Sequence, residues 1–136
     1  MKKVLFLCTG NSCRSQLAEG FARALAPPGV EIYSAGVEAH GLNPRAVAVM
    51  AEAGVEIGAQ TSKTVAEIPA SEIDTVITLC GDAAERCPVF PSAVSREHWA
   101  LPDPAGAQGS EQAILEEFRA VRDELERRVR GLLGSG

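Results

Sequence analysis

The chain has 136 residues, 46% of them hydrophobic, and a formal net charge of −5. That length suits one domain, residues 1–136, with its own core, and the acidic balance argues against a nucleic-acid partner. No apolar run is long enough to span a membrane, and the four apolar residues before Cys8 are too few for a secretion signal, so a cytoplasmic protein is expected.

Val4-Leu5-Phe6-Leu7 is short and wholly apolar, as a buried parallel strand should be. A Gly/Asn/Ser turn follows, then a helical pattern with Leu17, Phe21 and Leu25 at helical spacing, ended by Pro27-Pro28-Gly29. Residues 30–35 alternate as a second strand. Asn43-Pro44 starts a second helix with Asn as N-cap and Pro at the first helical position. Val47, Met50 and Ala51 are its expected apolar face and Gly54 its C-terminal stop. Residues 61–64 form a polar turn before a short irregular or helical piece ending near Pro69. Thr75-Val76-Ile77-Thr78-Leu79 reads as a third buried strand, and His98-Trp99-Ala100-Leu101 as a shorter fourth. The last helix begins after Ser110, with Ile114, Phe118, Val121, Leu125, Val129 and Leu132 along one face.

Strands alternating with helices predict an α/β fold: a doubly wound, four-stranded parallel sheet with helices on both faces. Ligands of such sheets sit beyond the carboxyl ends of the strands. Cys8, Cys80 and Asp103 each follow a strand, so all three are expected at that edge.

Cys8 is followed after five residues by Arg14-Ser15 at the start of a helix. A tight loop against a helix N-terminus turns backbone N–H groups inward, which suits a tetrahedral oxyanion. The candidate oxyanion-binding residues are Thr9, Gly10, Asn11, Ser12, Cys13, Arg14 and Ser15. The helix N-terminus and Arg14 favour a nucleophilic thiolate at Cys8. Arg14 can fork to two oxyanion oxygens, Ser15 can donate to the thiolate, and Asn11 can brace a left-handed turn. Taken alone, a Cys8 at a strand end reads first as an inert buried thiol; the coincidence of strand, turn, spacing and helix favours chemistry. Cys13 reads as a packing residue of the loop.

Cys80 and Cys87 follow the third strand. Four cysteines in a cytoplasmic chain point to catalytic or redox chemistry before structural disulfides. The spacing is not that of a metal site, and the chain has only two histidines, so no metal is expected. On a helix, residues 80 and 87 would stand about 10 Å apart along the axis. A disulfide needs Cα atoms within about 7 Å, so a redox pair here requires the segment to uncoil. Pro102-Asp103-Pro104 holds Asp103 on a stiff loop, where it can act as a general acid or simply as a turn residue. His40 and His98 are given local hydrogen-bonding roles, and Trp99 a place in the core.

The run Cys8-Thr9-Gly10-Asn11-Ser12-Cys13-Arg14-Ser15-Gln16 leads the resemblance. With Tyr33-Ser34-Ala35-Gly36, Leu79-Cys80, Cys87-Pro88, Glu97-His98-Trp99 and Asp103-Pro104-Ala105-Gly106, it resembles the thioredoxin-coupled arsenate reductases. These share the fold of the low-molecular-weight protein tyrosine phosphatases. The resemblance implies a triple-cysteine relay. Cys8 attacks arsenate held by the loop and Arg14, and Asp103 protonates the leaving oxygen. Cys80 then attacks Cys8 and releases arsenite; Cys87 attacks Cys80, and thioredoxin (with thioredoxin reductase and NADPH) reduces the last disulfide. The thiols supply both electrons, so no cofactor, metal or flavin is called for, and a monomer is expected.

Potassium-binding members carry an acidic residue after Thr-Ser where this chain has Lys63, while Asn11, Glu19 and Ser34 are present. A lysine ammonium paired with Glu19 would make the enzyme potassium-independent. Two other readings remain. A tyrosine phosphatase would use the same loop and acid through phospho-Cys8, yet Ala105-Gly106 stand where those phosphatases carry tyrosines, and the Cys80/Cys87 pair would have no purpose. Weak phosphatase side activity is expected because the first step is shared. A non-catalytic redox sensor or anion-binding module would show cysteine oxidation without turnover.

Overall fold

The computed structural model describes residues 2–79 and 95–133. Cys80 and Cys87, and the expectations that rest on them, lie outside the described residues. The strands are β1 (Lys2–Cys8), β2 (Val30–Gly36), β3 (Thr75–Thr78) and β4 (Ser95–His98), in the order β2-β1-β3-β4 with every pairing parallel. The helices are α1 (Arg14–Leu25), α2 (Pro44–Glu52) and α3 (Glu111–Leu133), with short 3-10 turns at Val65–Glu67, Ala70–Glu72 and Pro104–Gly106. The parallel α/β sheet is thus the one expected. None of the described helices is long and apolar enough to cross a membrane.

Alternate residues of β1 face opposite sides and are buried on both. Val4 and Phe6 belong to the larger core cluster, with Leu17 and Phe21 of α1, Val49 and Met50 of α2, and Phe118, Val121, Leu125 and Val129 of α3. Leu5 and Leu7 form the second cluster with Ala35, Ile68, Ile73 and Val76, so the chain around the first two 3-10 turns covers that face. Arg14 through Ala22 of α1 are all buried, because the helix lies between the sheet and the other two helices.

Helix boundaries follow the capping chemistry. The Asn43 side chain accepts the Arg45 N–H at 2.8 Å, and Pro44 opens α2. Gly54, just past the end of α2, has φ +81°. Ser110 Oγ accepts the Ala113 N–H at 3.1 Å at the start of α3.

Two expectations are corrected. The fourth strand is Ser95–His98, not His98–Leu101. It is an exposed, polar edge strand, so no apolar run marks it; the aromatic signal at Trp99 belongs to the buried residue after it, whose N–H still bonds Thr78 O at 2.8 Å. In α2 the fully buried residues are Ala46, Val49 and Met50; Met50 and the partly buried Val47 face the core as expected, but Ala51 is exposed. Apolar residues occur on every side of this helix, so only its neighbours select the inner face.

The end of α2 is tied to α3 through Glu52, which takes Arg119 Nη2 at 2.8 Å and Arg122 Nη1 at 2.9 Å. Bonding from Arg119, joined by Arg122, lowers the Glu52 carboxyl from an ordinary 4.5 to about 2. A carboxylate held lower in the folded state stabilises it above the unfolded value and loses that effect as pH falls. Glu52→Gln should therefore melt below the wild type at pH 7, and the difference should shrink between pH 4.5 and about 2 in thermal unfolding. Phe118 is fully buried, and Phe118→Ala should cost about 3–5 kcal/mol in urea denaturation.

Candidate active site

The strand order reverses direction at β1: the chain steps to one side for β2 and to the other for β3. The crevice beyond the carboxyl ends of β1 and β3 is where such a sheet accepts a ligand. Residues 8–15 wrap this point, and their backbone is fixed by the chain leaving β2. The carbonyls of Cys8, Thr9, Gly10 and Ser12 accept the N–H groups of Val37, Glu38, His40 and Asn43 at 3.3, 2.9, 2.9 and 3.0 Å. Asn11 O takes Gln16 Nε2 at 3.0 Å, and Cys13 O takes the Leu17 N–H at 2.9 Å. In a planar trans peptide the next N–H points opposite to the carbonyl. Six carbonyls engaged outward thus turn the intervening N–H groups toward the hollow of the loop.

Close approach requires glycine twice. A Cβ on Gly10 would stand 2.3 Å from His40 Nδ1, and one on Gly36 would stand 2.3 Å from Glu38 O and 2.7 Å from Asn11 N. Asn11 takes the left-handed turn, with φ +47°, and is fully buried. Its Nδ2 donates to Ser15 Oγ and to Ser34 Oγ, both at 2.9 Å, and its Oδ1 accepts Lys63 N–H at 2.8 Å and Gln16 Nε2 at 3.0 Å.

This network sets hydroxyl directions. Ser15 Oγ accepts from Asn11, which leaves its hydrogen for Cys8 Sγ at 2.8 Å. Ser34 Oγ likewise accepts from Asn11 and donates to Glu19 Oε1. The arrangement therefore presents a hydrogen-bond donor to a Cys8 thiolate. Cys13, beside it, is buried, and burial pushes its thiol up, with Asp103 and Cys8 adding to the rise and Arg14 opposing it. Cys13 stays a protonated packing thiol.

Arg14 Nη1 donates to Leu79 O at 3.2 Å and to Leu101 O at 2.9 Å, and Nη2 stands 3.6 Å from Asp103 Oδ2. Its Nε is buried and has no hydrogen-bond partner among the described residues. Asp103 caps the Pro104–Gly106 turn by accepting the Ala105 N–H at 3.0 Å, which aims the carboxylate across the crevice at Arg14. Cys8, Thr9, Gly10, Ser12, Cys13, Arg14, His40, Asp103 and Ala105 line one cavity of about 250 Å³. Of the residues singled out from sequence, Cys8, Thr9, Gly10, Ser12, Cys13, Arg14 and Asp103 meet in it, while Asn11 and Ser15 support it from behind.

A larger cavity, about 610 Å³, lies behind the loop among Glu19, Arg23, Gln60, Thr61 and Lys63. Its lining holds no thiol, whereas Cys8 and Cys13 line the smaller one. Here Glu19 is buried and meets Arg23 Nε at 2.7 Å and Lys63 Nζ at 3.7 Å, while Lys63 Nζ donates to Thr61 O at 2.8 Å. Sequence reading missed Gln16 and Gln60 as supports: Gln60 Nε2 donates to Gln16 Oε1 at 2.7 Å, and Gln16 clamps both Asn11 and Thr61 O. A glutamine directly after the Arg-Ser of the loop was the available signal. His40 and His98 do make the local bonds expected of them, to Glu38 at 3.1 Å and Thr78 at 2.7 Å.

Asn11→Ala would free both serine hydroxyls and take the acceptor from the Lys63 N–H, while Gln16 Nε2 keeps the carbonyls of residue 11 and Thr61. A loss on the order of 2–3 kcal/mol is expected in denaturant unfolding, together with slower alkylation of Cys8 by iodoacetamide at pH 7. Unchanged alkylation would remove Asn11 from the support of the thiol.

Residues 3–135 match the low-molecular-weight phosphotyrosine protein phosphatase family. Arsenate reductases of Bacillus licheniformis and Bacillus subtilis are each 50% identical over 135 residues, covering 99% of this chain and 97% of theirs. Among solved structures, an arsenate reductase in the phosphate-binding state superposes with a TM-score of 0.85 at 40% identity, covering 99% of this chain and 98% of its own. The YwlE arginine phosphatase of Geobacillus stearothermophilus superposes with a TM-score of 0.80 at 28% identity, covering 97% and 90%. A buried cysteine held by serine at the mouth of β1, with arginine and aspartate across a small cavity, is thus set in a family-wide frame: this chain belongs to the low-molecular-weight phosphotyrosine protein phosphatase family.

Proposed function

We propose that this enzyme, an arsenate reductase like its half-identical relatives, delivers two electrons to arsenate through Cys8, Cys80 and Cys87 and is recycled by thioredoxin. The observation that carries the reading is Cys8 Sγ, bonded by Ser15 Oγ at 2.8 Å and lining the same cavity as Arg14 and Asp103. The volume, about 250 Å³, suits a small inorganic oxyanion. The inward N–H groups and Arg14 Nε, unpaired among the described residues, supply donors for its charge.

In the first step the Cys8 thiolate attacks arsenic, an S–As bond forms, and an oxygen leaves as water with a proton from Asp103. Arg14 holds the remaining oxygens while negative charge shifts among them. Cys80 then attacks Cys8 Sγ. The S–As bond breaks with its electron pair going to arsenic, arsenite departs, and a Cys8–Cys80 disulfide remains. Cys87 attacks Cys80 Sγ and restores the Cys8 thiolate, and the thioredoxin dithiol reduces the Cys80–Cys87 disulfide. In support, the sequence passes directly from Leu79, whose carbonyl accepts from Arg14 at 3.2 Å, into Cys80. The first step is shared with phosphatases, a kinship matched by the arginine phosphatase relative, so slow hydrolysis of phosphomonoesters is an accompanying activity.

Lys63 serves in this scheme as a built-in cation. Its ammonium faces the Glu19 carboxylate and Thr61 O at the back of the loop, filling the place a monovalent ion would take.

Coupled NADPH oxidation with thioredoxin, thioredoxin reductase and arsenate tests the relay. Cys87→Ser should abolish multiple turnovers while retaining one equivalent of arsenite per enzyme; sustained turnover in Cys87→Ser would overturn it. Arg14→Lys keeps the charge but loses the planar fork, and a fall of about 100-fold or more in kcat is expected. Rates in KCl and NaCl at matched ionic strength should agree, and a several-fold rise with KCl would overturn the role given to Lys63.

A further inference from the structure

The scheme above gives no part to His40, which also lines the cavity. His40 lies on the chain leaving β2, and its ring packs closely against Gly10: a Cβ there would fall 2.3 Å from Nδ1, 2.8 Å from Cγ and 3.1 Å from Cε1. Its backbone N–H donates to Gly10 O at 2.9 Å. Ser62 Oγ donates to the same carbonyl at 3.2 Å and accepts Gly41 N–H at 3.1 Å, so the ring is carried on a segment clamped on both sides. On its far edge, Nε2 meets Glu38 Oε1 at 3.1 Å.

That last contact fixes the chemistry of the near edge. A carboxylate only accepts hydrogen bonds, so Nε2 carries a hydrogen. The neutral ring then has a lone pair at Nδ1, beside Gly10, and only the protonated ring has an N–H there. Around the cavity the chargeable groups are Cys8, Cys13 and Arg14 from the loop, Asp103 from the turn after β4, and His40, with Glu38 behind it. Among these described groups Arg14 and His40 are the two that can be positive, and two of Arg14's nitrogens are occupied by Leu79 O, Leu101 O and Asp103.

We propose that His40, oriented by Glu38, is a second cationic binding residue for the oxyanion at the mouth of the cavity, donating from Nδ1 in its protonated form and favouring doubly charged anions. This rests on the reading of the cavity as an oxyanion site. The ring is half exposed, so its contribution is that of a screened contact and not of a buried ion pair. Glu38 acts through His40 as a positioning residue. The pair raises capture of the anion and leaves the attack by Cys8, behind it, unaltered.

The test is calorimetric binding of sulfate to the reduced full chain, since sulfate stays a dianion across the range and any pH dependence belongs to the protein. Histidine is the side chain whose charge ordinarily changes between about pH 5 and 8. Sulfate should bind wild type more tightly at pH 6 than at pH 8. His40→Phe keeps a ring over Gly10 without the donor, and should weaken binding at pH 6 by about fivefold and flatten the pH dependence. His40→Lys should restore affinity at pH 6 and hold it at pH 8. In arsenate turnover, His40→Phe should raise KM by a similar factor with kcat within about twofold. Wild-type affinity and slope in His40→Phe would overturn the proposal, as would a loss in His40→Phe that His40→Lys does not repair. Sulfate binding to the wild type without arsenate turnover would overturn the reductase reading and leave the His40 comparison intact.

Discussion

Everything about this site depends on six peptide carbonyls being held away from it. Val37, Glu38, His40 and Asn43, together with Gln16 and Leu17, take the carbonyls of residues 8 to 13, and peptide planarity does the rest. The N–H groups of the loop are thereby turned into its hollow, the arrangement that the proposed oxyanion would need. In the proposed reaction, that orientation, fixed on folding, would leave little to reorganise.

The same loop must hold a cysteine ready, and Asn11 does this from the outside of the turn. One carboxamide uses both of its hydrogens on Ser15 and Ser34, and its oxygen on Lys63 and Gln16. With the amide saturated, the two serine hydroxyls have one free direction each, toward Cys8 and Glu19. The polarity of the network follows from counting hydrogens. Glu19 would be a costly buried charge on its own; Arg23, Lys63 and Ser34 surround it, so the cationic side chains at the rear of the loop help keep the thiol's support in place.

The fold serves that arrangement by where it puts chain ends. A parallel sheet whose order reverses at β1 leaves an uncovered crevice there, and the segments after β1, β2, β3 and β4 contribute the loop, its outer brace, the Leu79 carbonyl and Asp103. Residues distant in sequence, such as Arg14 and Leu101, are joined at 2.9 Å because all four strands run the same way.

The sequence by itself carried the parallel α/β class, since apolar runs too short for helices alternate with helical periodicities, and those signals are local. It also carried the loop, because Cys8, Arg14 and Ser15 are spaced by a single turn. Capping residues such as Asn43, Gly54 and Ser110 were legible for the same reason: their chemistry acts within a few residues. Tertiary structure alone decided what depends on distant partners. The polar edge strand Ser95–His98 is a strand only because β3 offers it hydrogen bonds, and the inner face of α2 is chosen by α1 and α3 rather than by a pattern of its own. The supports Gln16 and Gln60 lie 44 residues apart and acquire a function only when the fold presses them together. His40 shows the limit most plainly: in the sequence it is one histidine beside a glycine, and only the approach of its ring to Gly10 and of Glu38 to its far edge sets it at the mouth of the site.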